Sequence, residues 1–369
     1  MTLTVPCLFG LESLVADEMK RLNLKDVRAE NGRVHCEGTV LDIARLNVNL
    51  RCGARVLMEL GSFPAPDFEA LFQGVLALPW EDYIPKDGEF PVKGYSLTSK
   101  LHSVPACQAI VKKAAARRLG NAYGCETLPE NGSRYQIQFA IVKDVAALYL
   151  DTSGEGLYKR GYRAVNCGAP LRETLAAALV TLSRYRGKDP FCDPFCGSGT
   201  IPIEAALIAK NRAPGLDRHF AAQRWKNMAS GLWLEAAEEA QDREFHDAYD
   251  IWGGDIDPAA VDVARHNAAL AGVEDCVRFE VADAGEFHRD SEYGQLVTNP
   301  PYGERLLEKK EAEDLYRRFG RAHRALPPKW RTVVLSSHTE FERCFGRPAD
   351  KKRKLYNGML KCDAFLYGK

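Results

Sequence analysis

The chain has 369 residues, 46% of them hydrophobic, enough to fill two or three globular cores. Its fifty basic and fifty acidic residues cancel, so a nucleic-acid partner must be held by local patches rather than by bulk charge. No apolar run approaches a membrane span, the opening MTLTVPCLFGLESL lacks a secretion leader, and the eleven cysteines form no Cys-x-x-Cys pair, so the expectation is a cytoplasmic protein with reduced thiols, no membrane and no metal.

In chain order, GLESLVADEMKRL and PACQAIVKKAAARRLG carry helical periodicity, while GRVHCEG and RYQIQFAIVKDVAALYLD read as strands. This rhythm predicts compact α+β units over residues 1–62 and 63–163, joined through DTSGEGLYKRGYRAVNCGAP to a third unit over 164–369. From Phe191 onward short apolar runs alternate with helical patterns, the mark of a doubly wound parallel α/β sheet. PFCDPF ends a strand, IPIEAALIAK forms a helix, IWGGDID a strand, and PAAVDVARHNAALAG a helix capped by Asp257 with Pro258 at its first position. VRFEVAD, QLVTNPP and RTVVLSS complete the buried strands. Asn357-Gly358 inside KKRKLYNGMLKCDAFLY predicts a tight hairpin, hence an antiparallel edge. Residues 212–250 read as a polar helical insertion bearing tryptophan.

DPFCGSGTIPIEAA places Asp193 at a strand end and Gly197, Gly199 and Thr200 in the turn into a helix, where backbone N–H groups approach a ligand. Thr200 stands where a P-loop needs lysine, and CGSGTI matches a dinucleotide fingerprint poorly. Taken alone, the turn serves ligand binding or tight strand–helix packing equally well. Asp255 in GGDIDP ends the next strand, where a carboxylate accepts both hydroxyls of a ribose, and Asp283 in VADAG is placed to accept an adenine amino group. With Asn299 these acids fall at the carboxyl ends of successive strands, the edge at which open parallel sheets bind ligands.

Together DPFCGSGT, GGDIDP, VADAG and NPPYGERL resemble the class I methyltransferases that use S-adenosylmethionine and methylate planar amino groups. LTSKLHSVPACQAIVKKA and LDTSGEGLYKRGYR resemble the THUMP RNA-binding domain and its joint to the enzyme, VPCLFGLESLVADEM the ferredoxin-like domain ahead of it, and PLRETLAAALV the helix before the cofactor strand. The arrangement is most similar to bacterial guanine 2-amino methyltransferases of 23S ribosomal RNA, with one catalytic unit where fused forms carry two. The resemblance implies S-adenosylmethionine as cofactor and ribosomal RNA, free or in an assembly intermediate, as partner. Choice of guanine over adenine rests on it alone.

An exocyclic base amine is a poor nucleophile because its lone pair is delocalised into the ring. In the Asn-Pro-Pro-Tyr run, the side-chain oxygen of Asn299 and the main-chain oxygen of Pro300 are expected to hold the two amine hydrogens on a backbone that proline stiffens, with Tyr302 stacking on the base. Lys100, Lys112, Lys113 and Arg117, and Lys352 and Arg353 before the hairpin, are candidate RNA contacts, with solvated faces as the alternative. Three rivals stand beside this reading: a transfer RNA guanine or adenine methyltransferase, a protein glutamine methyltransferase sharing the Asn-Pro-Pro-Tyr logic, and an RNA-binding protein with an inactive methyltransferase fold.

Overall fold

The computed structural model describes residues 1–163, 171–303 and 306–368. The end of the expected joint, Ala164 to Pro170, its division at 163/164, and Glu304-Arg305 of NPPYGERL lie outside the described residues.

The first half comprises β1 (Thr2–Pro6), α1 (Glu12–Arg21), β2 (Lys25–Glu30), β3 (Arg33–Glu37), α2 (Val40–Asn49), β4 (Leu57–Pro64), α3 (Phe68–Ala77), β5 (Val92–Leu97), α4 (Val104–Tyr123), β6 (Ile137–Val142) and β7 (Val145–Asp151). These strands form one seven-stranded sheet in the order β2-β3-β1-β4-β7-β6-β5. Only β5 and β6 run parallel, as the α4 crossover between them requires. β4 passes through residues 62 and 63 and pairs with β1 on one side and β7 on the other, so the two expected α+β units share a sheet. Local signals place the helices. Thr39 and Asp42 form a reciprocal capping box on α2, and α4 starts at the Ser103 cap and stops at Gly124, whose φ of 60° a side chain would strain.

The second half comprises α5 (Glu173–Leu182), β8 (Phe191–Asp193), α6 (Thr200–Ala209), α7 (Ser230–Gln241), β9 (Ile251–Asp255), α8 (Pro258–Leu270), β10 (Val277–Val281), β11 (Tyr293–Thr298), α9 (Leu306–Arg324), β12 (Lys329–Ser336), α10 (Phe341–Phe345), β13 (Lys351–Asn357) and β14 (Leu360–Tyr367). Its sheet runs β10-β9-β8-β11-β12-β14-β13, parallel through β12 and antiparallel over the hairpin, as expected of the doubly wound class. Central strands β8 and β11 are buried almost throughout, which is why they read as unbroken apolar runs. Asp257 caps α8 by accepting from Ala259 N at 2.9 Å, with Pro258 at its first position.

The halves are tied together closely. In the joint, Thr152 and Ser153 are fully buried, Ser153 Oγ donating to Asn47 Oδ1 at 2.6 Å, and the buried Arg160 donates to the Leu157 and Arg51 carbonyls. Glycine and charge therefore serve a packed joint rather than a loose linker. The insertion is less helical than expected, since only α7 and a short turn at Ala221–Arg224 are regular. Its polar residues hold the first half instead: Glu239 pairs with Arg45, and Trp225 stacks on Tyr135 at 4.9 Å while its indole N–H donates to Arg134 O at 2.9 Å.

Candidate active site

β8 is the point at which the sheet's order reverses, since α6 leads outward to β9 while β11 returns on its other side. Such a switch point opens a crevice at the strands' carboxyl ends. A cavity of about 670 Å³ lies there, lined by Pro194, Phe195, Gly197, Asp255, Ile256, Ala282, Asp283, Asn299, Pro301 and Arg318 among others. Four strand ends thus bring together Gly197, Asp255, Asp283 and Asn299, with Asp193 buried behind them. A second cavity of about 610 Å³ sits between the first sheet's rim and α7, away from these strand ends. There Arg45 is paired with Asp42 and Glu239, and Arg243 with Glu239.

Asp193 is 1% exposed. Its Oδ1 accepts from Thr298 Oγ1 at 2.6 Å and Phe195 N at 3.1 Å, while Oδ2 has no partner. Burial, reinforced by the Asp255 charge, pushes its pKa up to about 7 against the pull of those two donors. A buried carboxylate with a spare oxygen is suited to a ligand cation.

The glycine turn divides its labour. Gly197 has φ 51° and open space where a Cβ would stand, so it leaves room at the cavity, and its N–H donates to Asp255 Oδ2 at 2.9 Å. A Cβ on Gly199, at φ 83°, would lie 2.9 Å from Ala264 Cβ, so this glycine lets α8 close on the turn. Gly199 thus answers to the packing alternative, while Gly197 leaves open space at the cavity. Thr200 is buried, accepts from Arg163 Nη2 at 3.0 Å, and does not line the cavity.

Asp255 Oδ1 also accepts from Asp257 N at 3.0 Å, so both oxygens are aimed by backbone donors and keep lone pairs for a ligand. Asp283 accepts from Gly285 N at 2.7 Å and pairs with Arg318 Nη1 at 2.7 Å, which hold its carboxyl below the usual range in that order of strength. Sequence reading missed Arg318 and Ile256. The latter is 68% exposed on the cavity wall, and an apolar residue between the two acids of GGDIDP was the available signal.

Asn299 follows β11 directly and lines the cavity; Pro300 is buried and does not. Tyr316, fully buried on α9, donates to the Pro301 carbonyl at 2.5 Å and fixes the loop from behind. Tyr302 differs from the expected stacking partner. Its ring is half-buried against the core, and its hydroxyl donates to Asn299 Oδ1 at 2.5 Å, because a buried phenol needs an acceptor. Among the RNA candidates, Lys100, Lys113 and Arg117 are exposed, the last two one turn apart on α4. Lys112 instead pairs with Glu130 at 2.6 Å over the Phe90 ring, Lys352 pairs with Glu342 at 2.7 Å, and Arg353 donates to Ser13 Oγ at 2.7 Å. A phosphate would have to displace those partners.

No helix among the described residues is long and apolar enough to cross a membrane, and no metal-holding cluster occurs among them. The sheet order, the acids at its strand ends and the Asn-Pro-Pro-Tyr loop define a class I methyltransferase. The chemistry of the cavity lining fits a nucleoside cofactor, with the Asp255 and Asp283 carboxylates, an open glycine at Gly197 and an apolar wall at Phe195 and Ile256, while Asp193, with its unpartnered Oδ2, is buried behind that lining. Residues 160–365 match the RMKL-like methyltransferase domain, residues 2–57 the RlmL ferredoxin-like domain and residues 65–151 the THUMP domain, and the chain belongs to this THUMP-bearing, S-adenosylmethionine-dependent methyltransferase family. It is 43% identical over 369 residues to YpsC of Bacillus subtilis, a protein named for RNA methylation, covering 99% of this chain and 95% of that one. It is 35% identical to the ribosomal RNA large subunit methyltransferase K/L of Syntrophotalea carbinolica, over 96% of this chain but only 51% of that longer protein. The crystal structure of SMU.472, described as a methyltransferase complexed with S-adenosylhomocysteine, superposes with a TM-score of 0.93 at 42% identity, covering 100% of this chain and 98% of the other.

Proposed function

We propose that the protein transfers the methyl group of S-adenosylmethionine to the exocyclic 2-amino group of a guanine in structured RNA, with 23S ribosomal RNA as the first substrate to test. The observation that carries this reading is Asn299 at the cavity edge, one residue beyond β11, in a chain that also carries a THUMP domain. The names of YpsC and methyltransferase K/L support RNA as the substrate.

When bound, the cofactor supplies an electrophilic methyl on a sulfonium. Asp255 would accept the ribose hydroxyls, Asp283 the adenine amine, and Asp193 Oδ2 the ammonium at the amino-acid end. The Asn299 amide oxygen and the Pro300 carbonyl would each accept one hydrogen of the target amine, drawing its lone pair out of conjugation. The amine nitrogen would take the methyl as the sulfonium leaves as a thioether, and one amine proton would pass to solvent. Because Tyr302 donates to Asn299 Oδ1, the incoming amine must share that oxygen with the hydroxyl through its second lone pair or displace it, and the ring must turn if it is to stack on the base.

Labelled S-adenosylmethionine with unmodified 23S ribosomal RNA, transfer RNA or a peptide-release factor, followed by hydrolysis and product identification, tests the proposal. N2-methylguanosine from ribosomal RNA is the expected product. Methyladenosine, methylated transfer RNA, methylglutamine or no product would each select one of the rivals.

Asp193 sets a pH dependence. With its unliganded pKa at about 7, the carboxyl is protonated below that value, and pairing with a ligand ammonium lowers the pKa. Cofactor binding is therefore fully supported above about 7 and weakens by up to tenfold per unit as pH falls through it. Calorimetric titration with S-adenosylhomocysteine, which keeps the ammonium, should give a several-fold weaker Kd at pH 6 than at 7.5, and Asp193→Asn should flatten the difference. A flat profile for the unmodified protein would detach Asp193 from the ligand.

The α4 face gives a separate test. If Lys113 and Arg117 hold phosphates, replacing both by alanine should reduce the slope of log K against log salt for RNA binding by about two. An unaltered slope would leave them a solvated face.

A further inference from the structure

We propose that the β13–β14 hairpin is an RNA wedge, its tip residue Met359 entering the base stack where the target nucleotide has been withdrawn. The inference rests on the RNA reading above.

Met359 is 99% exposed and the adjoining Leu360 is 37% exposed. Gly358, at φ 64°, turns the chain so that Asn357 pairs with Leu360 and a two-residue tip protrudes. The hairpin strands are braced on both sides. From the first half, Ser13 Oγ accepts from Arg353 Nη2 at 2.7 Å, and the loop at Gly10 presses so closely that a Cβ there would lie 2.6 Å from the Lys354 carbonyl oxygen. Toward the active site, Cys362 Sγ lies 3.9 Å from the Tyr302 hydroxyl. An apolar side chain is thus held three residues along the chain from a contact to the loop that carries Asn299.

The surroundings favour a nucleic acid as the occupant. Lys351, Lys354 and Lys361 are exposed on the same hairpin and suit phosphates, whereas Met359 gains nothing from a phosphate and needs an apolar surface, which base faces supply. Withdrawing a stacked base costs a few kcal/mol, and apolar wedges in other nucleic-acid-bending proteins stand between base steps to stabilise the opened form. Methionine is unbranched and polarisable, so it adapts to an irregular gap.

Single-turnover methyl transfer and RNA affinity, measured on an in vitro transcript of 23S ribosomal RNA with saturating S-adenosylmethionine, separate a wedge from a grip. Met359→Ala should slow transfer roughly tenfold or more while RNA Kd changes less than about twofold, since the cost falls on extruding the base. Met359→Leu should retain most of the rate, and Met359→Lys should be as slow as alanine despite its added charge. A residue this exposed is not needed for folding, so all three variants are testable. Affinity falling in step with rate, a lysine variant as fast as leucine, or an alanine variant as fast as the original would each overturn the wedge. Absence of methylated 23S transcript with the unaltered protein would overturn the ribosomal RNA reading on which the wedge rests and the wedge with it, an outcome visible before any variant is compared.

Discussion

Asn299→Ala is expected to slow methyl transfer roughly 100- to 1,000-fold while cofactor and RNA affinities change little, by analogy with loss of one transition-state hydrogen bond. Asn299→Asp should retain much more activity, because a carboxylate still accepts from the amine and favours the positive charge developing on nitrogen. The Tyr302 hydroxyl sharpens the comparison. It donates to Asn299 Oδ1, and a charged acceptor would hold it more tightly, so the aspartate variant faces a stronger competitor for the same oxygen. Tyr302→Phe removes that competitor and keeps the ring. Combined with Asn299→Asp, it should recover rate lost to the competition, whereas with Asn299→Ala it should recover none. Single-turnover rates at saturating cofactor decide: equal losses for alanine and aspartate, unchanged by the phenylalanine substitution, would remove Asn299 from the chemistry.

The methyltransferase sheet was legible because each of its signals is local. A strand end, an acid or asparagine, and a glycine or proline turn recur within a few residues, and Asn357-Gly358 announces its own hairpin. The single sheet of the first half was not legible, because it depends on β4 pairing with β1 and β7, segments far apart in sequence, and on β5, whose alternate residues are exposed. Basic residues were legible as charges but not as commitments. Lys112 looks like Lys113 in the sequence, yet Glu130, eighteen residues away, takes its ammonium and leaves Lys113 at the surface. The insertion's contacts were hidden for the same reason, since nothing near Glu239 or Trp225 names Arg45 or Tyr135 as partner. At the site, strand-end positions followed from pattern, whereas the Tyr302 hydroxyl direction depends on burial of its ring, which no spacing encodes.

Asp255→Ala is expected to weaken cofactor binding by roughly 1.5–3 kcal/mol, about 10- to 150-fold in Kd, as befits loss of a charged acceptor to hydroxyl groups. Its surroundings complicate the reading, because the same carboxylate accepts from Gly197 N at 2.9 Å and Asp257 N at 3.0 Å. Alanine therefore removes a ligand contact and also unties the glycine turn from the start of α8. Two further measurements separate these effects. The RNA contacts proposed on α4 and the hairpin are not on β9, so RNA affinity should survive, and the unfolding temperature of the unliganded protein reports the untied turn directly. Asp255→Asn keeps one acceptor oxygen and the side chain's shape but opposes one backbone N–H with its own amide donor. If ribose binding dominates, asparagine should fall between aspartate and alanine in Kd with a similar unfolding temperature. If tethering the turn dominates, both variants should lose unfolding temperature and cofactor affinity in proportion, and asparagine, with its opposed donor, should be no better than alanine. An alanine variant with unchanged Kd would remove Asp255 from the cofactor site and leave it as the clasp between β9 and the glycine turn.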